Sequence, residues 1–329
     1  MQLSKSKRKL LNFKILIMKK LLLVALIALS CTIETLAQQD PHYTQYMYNM
    51  SVMNPAYAGS KENLSMGLLY RKQWIEIEDA PTTATFFGHT PIGKNVGLGL
   101  SVVSDKLGPV EENNVYGDFS YTLNIGDNHK LAFGIKAGLT MQKIGLLSEV
   151  DPSLQDNFII DPAFGQDVSN TYFNIGSGLF FYSDKYYLGV SVPNFLRRTH
   201  LTVNSGGDQY EFGPETAHYF LTGGYVFDVS EKVKFKPFFM LKSAFEAPAS
   251  LDVSTNFLFN EKFEVGATYR LDDSFGAMVN YAISPNVKLG YAYDHIVSDL
   301  NVTTPSSHEI ILLFDLNFPK KVSSSPRFF

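Results

Sequence analysis

From about residue 63 to residue 318, apolar and polar positions alternate with the period of a β-strand. That period predicts fourteen strands, near 63–74, 82–90, 95–104, 113–124, 129–142, 170–182, 186–193, 215–229, 232–244, 249–260, 262–270, 273–283, 286–298 and 307–318. In the last of them Ile310, Leu312, Phe314, Leu316 and Phe318 share one face, and Glu309, Asp315 and Asn317 the other. In 232–244, Val233, Phe235, Phe239 and Leu241 oppose Lys234, Lys236 and Lys242. Most of the strands have about the ~9–11 residues that a tilted strand needs to cross a bilayer.

The connections separate by length. Every second one is hairpin-sized: Pro91–Lys94, Gly126–Asn128, Ser183–Lys185, Ser230–Glu231, Glu261 and Pro285. The others include 105–112, 143–169, 194–214 and 299–306 and are mostly long, with short links near Ala247 and Asp272. Outer-membrane barrels have short periplasmic turns and longer outer loops, and a soluble sandwich has no reason to sort them. The expected fold is therefore all-β: a transmembrane antiparallel β-barrel of about fourteen strands, apolar face to lipid and polar face to the lumen.

The N-terminus stands apart from this pattern. Lys5, Lys7, Arg8, Lys9, Lys14, Lys19 and Lys20 precede an apolar run, Leu21–Ser30, and Thr35-Leu36-Ala37 places small residues where signal peptidase cuts. The expected division is a signal peptide over 1–37, a plug-like or periplasmic segment over 38–62, the barrel over 63–318 and a periplasmic tail over 319–329. Met18 opens a complete signal peptide of its own, so it is an alternative start. The sole cysteine, Cys31, lies before the cut, which leaves the mature chain no disulfide and no Cys-based chemistry. Aromatics make up 14% of the chain, and 26 Phe and 18 Tyr against one Trp suit the girdles of a barrel. A net charge of −4 gives no nucleic-acid signal.

The polar face carries Arg71, Asp118, Lys136, Asp228, Lys234, Lys236, Asp252, Glu264, Arg270, Lys288, Asp294 and Glu309. These charges either pair across the barrel and fill it or line a selective conduit, and the sequence leaves both open. The in-strand glycines Gly97, Gly99, Gly134, Gly138, Gly176, Gly178, Gly223 and Gly224 are expected at bulges and strong curvature. No catalytic or cofactor motif appears, and the histidines show no metal-ligand spacing. His200 and His218 are the only candidates for barrel-borne hydrolase chemistry, and the expectation is no enzyme, no cofactor and no metal.

Two segments carry a resemblance. Gln38–Ser60 reads QQDPHYTQYMYNMSVMNPAYAGS, followed by Tyr70-Arg71 and Gln73-Trp74; the C-terminus carries His308-Glu309-Ile310 and ends Ser325-Pro326-Arg327-Phe328-Phe329. With these motifs the chain resembles the PorP/SprF family, outer-membrane components of the type IX secretion system. The resemblance implies partners among other type IX components, the C-terminal domain of a secreted adhesin, and the lipid bilayer. It implies one of two roles, anchoring the machinery or holding a gliding-type adhesin at the surface. Candidate partner-binding residues are Asn54, Pro55, Tyr57, Arg71, Trp74, Arg197, Arg198, Pro326, Arg327 and Phe328. An outer-membrane channel or hydrophobic-substrate transporter is the alternative.

Overall fold

The computed structural model describes residues 42–145, 167–196, 198–205, 208–215, 217–244, 247–298 and 306–316. Its strands are β1 (Leu64–Lys72), β2 (Thr82–Ile92), β3 (Val96–Leu107), β4 (Val110–Ile125), β5 (His129–Ile144), β6 (Val168–Tyr182), β7 (Tyr186–Val192), β8 (Arg198–Ser205) and β9 (Asp208–Glu215). They continue with β10 (His218–Tyr225), β11 (Phe227–Ser230), β12 (Val233–Ala244), β13 (Ala247–Phe259), β14 (Phe263–Arg270), β15 (Ser274–Ser284), β16 (Val287–Ile296) and β17 (Ser306–Leu316).

All but β8 and β9 belong to one 15-membered antiparallel sheet that follows chain order, with β7 next to β10, and β10 and β11 both paired with β12. β1 pairs with β17 from Leu64↔Leu316 to Lys72↔His308, which closes the sheet. β10 and β11 are two halves of one wall strand, interrupted at Val226, so the barrel has fourteen strands. Closure leaves no sheet edge in the membrane, where an unpaired backbone group has no water to bond.

The alternation faces as expected. Leu68, Tyr70, Leu98, Leu100, Phe119, Tyr121, Phe133, Ile135, Val253, Phe257 and Ile310 are exposed on the outside. An aromatic girdle circles part of the short-turn end, running through Phe181, His129, Tyr186, Tyr225, Phe227, Phe235 and Phe257 with neighbouring ring centroids 4.3–6.1 Å apart.

Two expectations need correction. β3 and β4 run beyond the apolar band: Asp105↔Glu112, Lys106↔Glu111 and Leu107↔Val110 stay in register, so 105–112 is a tight turn at Gly108 (φ 53°) instead of a long loop. The connection 194–214 is long, as expected, and carries β8 and β9, which form a hairpin sheet of their own. Finally, the inner face is not uniformly polar. Phe180, Tyr182, Tyr187, Phe238, Met240, Met278, Ile311 and Leu313 point inward and are buried, because a segment of the chain packs against them.

That segment is the N-terminal plug. It has a 3-10 turn at Tyr46–Tyr48, a helical turn at Met50–Met53 and a second 3-10 turn at Pro55–Tyr57. Asn54 caps the last of these through its side chain, which accepts from the Ala56 N–H at 3.0 Å. Tyr46, Met47, Met50, Ala56 and Tyr57 are buried in a core enclosed by the barrel.

Candidate functional site

The lumen and its plug form the most highly organised polar region among the described residues. Toward the long-loop end, the Arg71 guanidinium lies 2.8 Å from Asp294 and 3.3 Å from Glu309. Glu309 also accepts from the plug N–H groups of Thr44 and Gln45, both at 2.9 Å. Thr44 Oγ1 accepts from Arg71 at 2.8 Å and donates to Asp294. Two wall carboxylates, one wall cation and the plug backbone thus meet in a single network, in which both terminal nitrogens of Arg71 are engaged and its Nε is not. A buried charge is tolerated when it is paired and hydrogen-bonded.

A second network lies nearer the short-turn end. Lys236 Nζ is 3.0 Å from Glu264 and donates to the Tyr48 hydroxyl at 3.1 Å. Tyr48 donates in turn to Glu264, and Asn256 Nδ2 donates to the same carboxylate at 2.6 Å. The ammonium groups of Lys236 and Lys288 both lie 5.2 Å from the centroid of the Tyr48 ring, within cation–π range. Burial first, and then the Glu264 charge, push the Tyr48 phenol well above its ordinary value, so it stays protonated and donates.

The wall charges pair between adjacent or next-but-one strands rather than across the lumen. Asp118 and Lys136 are directly opposite on β4 and β5, 2.8 Å apart. Asp252 and Arg270 are opposite on β13 and β14, 2.9 Å apart. Asp228 departs from the expected lumen set: it is exposed and meets Lys185 at 2.7 Å.

The plug then crosses a track of glycines on the inner wall. A Cβ on Gly134 would come within 2.1 Å of Ala56 N, one on Gly97 within 2.1 Å of Ala58 O, and one on Gly178 within 2.1 Å of Asn54 Oδ1. At these three positions the glycines give clearance for the plug, not the curvature expected of them. Hydrogen bonds pin the same stretch: Asn54 Nδ2 donates to Leu179 O at 3.0 Å, Ser120 Oγ to Ala58 O at 2.5 Å, and Gly59 N to His89 Nδ1 at 3.2 Å. Tyr57 meets the Phe180 and His89 rings edge-on at 5.2 and 5.1 Å.

The structure thus places Asn54, Pro55, Tyr57 and Arg71 inside, where their partners are the chain's own residues. Trp74 lies beyond β1 in the connection 73–81, half-buried at φ 47°, and its backbone N–H donates to Ser307 Oγ at 3.3 Å. Arg198 opens β8; Arg197, Pro326, Arg327 and Phe328 lie outside the described residues. His218 is buried at the start of β10. Sequence reasoning missed Thr44, Gln45 and Tyr48 as the plug's polar anchors. The signal available was a string of hydroxyl and amide side chains in a segment too apolar for a solvated tail.

The motifs that hold the plug belong to a stretch matched as a whole. Residues 35–314 match the model of the type IX secretion system membrane protein PorP/SprF. The chain belongs to the PorP/SprF family. Membership and barrel together make it an outer-membrane component of type IX secretion. No curated protein matches this PorP/SprF chain. Solved structures similar to it include CymD, a monoaromatic hydrocarbon channel, at 13% identity over 82% of this chain and 92% of that one, TM-score 0.49. Omp33 of Acinetobacter baumannii is similar at 10% identity over 78% and 99%, TM-score 0.44. A Pseudomonas aeruginosa FadL homologue is similar at 12% over 82% and 94%, TM-score 0.43. Likeness at this level carries no statement about function.

Proposed function

We propose that this protein is a plugged outer-membrane scaffold that anchors the type IX machinery or holds a secreted adhesin at the cell surface. The observation that carries the proposal is the built plug. Its residues 43–60 are held by two buried charge networks and a glycine track, so the interior serves rigidity instead of passage. Binding and positioning then fall to the two ends. At the outer end these are the connections 145–167 and 193–217, the latter bearing β8 and β9 with Arg197 and Arg198. At the periplasmic end it is the tail 319–329 with Pro326, Arg327 and Phe328. Rigid scaffolds concentrate recognition in such segments. Export by the signal peptide, with cleavage after Ala37, belongs to the same proposal.

The test is the surface and secreted proteome of a strain lacking the gene, compared with wild type. Loss or release of one adhesin assigns the receptor role, and loss of all type IX cargo assigns the anchor role. An unchanged proteome refutes both.

A further inference from the structure

Toward the outer rim, the apolar band on the lipid-facing side ends at Ile310 on β17, Tyr70 on β1, Val102 on β3, Val115 on β4 and Met141 on β5. The strand registers fix what stands beyond it. Tyr293 is opposite His308, His308 opposite Lys72, Lys72 opposite Thr82, and Thr82 opposite Lys106. Lys106 is opposite Glu111, and Glu111 opposite Lys143. Directly opposed residues of an antiparallel sheet point to the same face, so this is one continuous outward row.

Lys72, Lys106 and Lys143 are exposed. Each is two strands from the next, roughly 10 Å at the usual strand spacing. Glu111 stands between the last two and accepts from Asn113 Nδ2 at 2.9 Å; within the row itself three lysines stand against this one carboxylate. The acids Glu76, Glu78 and Asp79 lie on the connection 73–81, where Asp79 O accepts from Gly108 N at the tip of the β3–β4 turn. At the other end of the row, Tyr291 and His308 Nδ1 are 2.6 Å apart, and the Tyr293 ring meets His308 edge-on at 5.4 Å. Amphipathic aromatics of this kind sit at headgroup depth. Among the described residues, the outward positions toward the rim on β14, β15 and their link include Tyr269, Leu271 and Phe275 instead of lysines.

Cations fixed just beyond an apolar band, facing outward, meet whatever anion the outer leaflet displays. We propose that Lys72, Lys106 and Lys143 form a docking strip for the phosphate groups of lipid A in that leaflet. The row is separate from the plug and from the lumen, so it orients and seats the barrel in the membrane independently of cargo.

Native mass spectrometry of the full chain in detergent tests this, with bisphosphorylated lipid A, dephosphorylated lipid A and phosphatidylglycerol as probes. Bisphosphorylated lipid A is expected to be retained at least tenfold better than the other two. The triple variant Lys72→Ser, Lys106→Ser, Lys143→Ser is expected to lose that preference, while the triple arginine variant keeps it and Glu111→Gln strengthens it. Heat-modifiable electrophoretic mobility reports whether each barrel is folded. If the serine triple fails to assemble, the three single variants read the same effect as graded losses. Undiminished retention by the serine variants, retention regardless of phosphate, or equal retention of phosphatidylglycerol overturns the proposal.

Discussion

Gly134 shows how much one missing side chain decides here. Its inward position leaves room for the Ala56 backbone, and the nearest plug atom would be 2.1 Å from an added Cβ. Overpacking of this kind costs about 1–3 kcal/mol. Gly134→Ala is expected to loosen the plug, read as faster protease cutting within 42–60 and a lower unfolding midpoint. Gly117→Ala is the control: its nearest atom is Ala137 O at 3.9 Å, and the expected change is within about 0.5 kcal/mol. Glu309 is the charged counterpart, because it accepts from two plug N–H groups and one guanidinium. Glu309→Gln removes one partner from a buried charge network and is expected to cost about 3 kcal/mol in urea unfolding. The double variant Arg71→Gln, Glu309→Gln is expected to lose less than the sum of the two single losses, since contacting residues are not additive. Exact additivity would show that Arg71 and Glu309 are not coupled.

Among the elements, the strands themselves were legible because a half-buried strand repeats every second residue. Their ends were not. β3 and β4 extend past the apolar band because polar residues such as Asp105, Lys106, Glu111 and Glu112 continue a backbone ladder that makes no demand on hydropathy. The break between β10 and β11 at Val226 was equally hidden: its N–H bonds Lys185 O at 2.7 Å, a contact from the neighbouring turn. The hairpin of β8 and β9 forms a sheet separate from the wall. Deleting residues 198–215 is therefore expected to leave the closed barrel intact, with unchanged heat-modifiable mobility. Loss of the folded barrel in that variant would show that the hairpin takes part in assembly.

For the whole molecule, the plug decides whether the barrel is a conduit. With Tyr46, Met47 and Met50 buried in the lumen, the intact protein is expected to give no steady conductance in planar bilayers. Removing residues 38–58 is expected to open one, with the barrel still folded because its hydrogen-bonded closure between β1 and β17 lies outside that stretch. Steady conductance from the intact protein, dependent on substrate, would support the transporter reading instead. The sequence by itself determined the barrel, its strand number, its apolar outer face and the family, because each of these is written in local periodicity or contiguous motifs. Only the tertiary structure decided that Arg71 pairs with Asp294 and Glu309, that Gly97, Gly134 and Gly178 clear a path, and that Asn54, Pro55 and Tyr57 face the barrel's own wall. These are contacts between residues far apart in the chain. No local pattern encodes them, since an inward glycine reads the same whether it bends a strand or makes room for a neighbour.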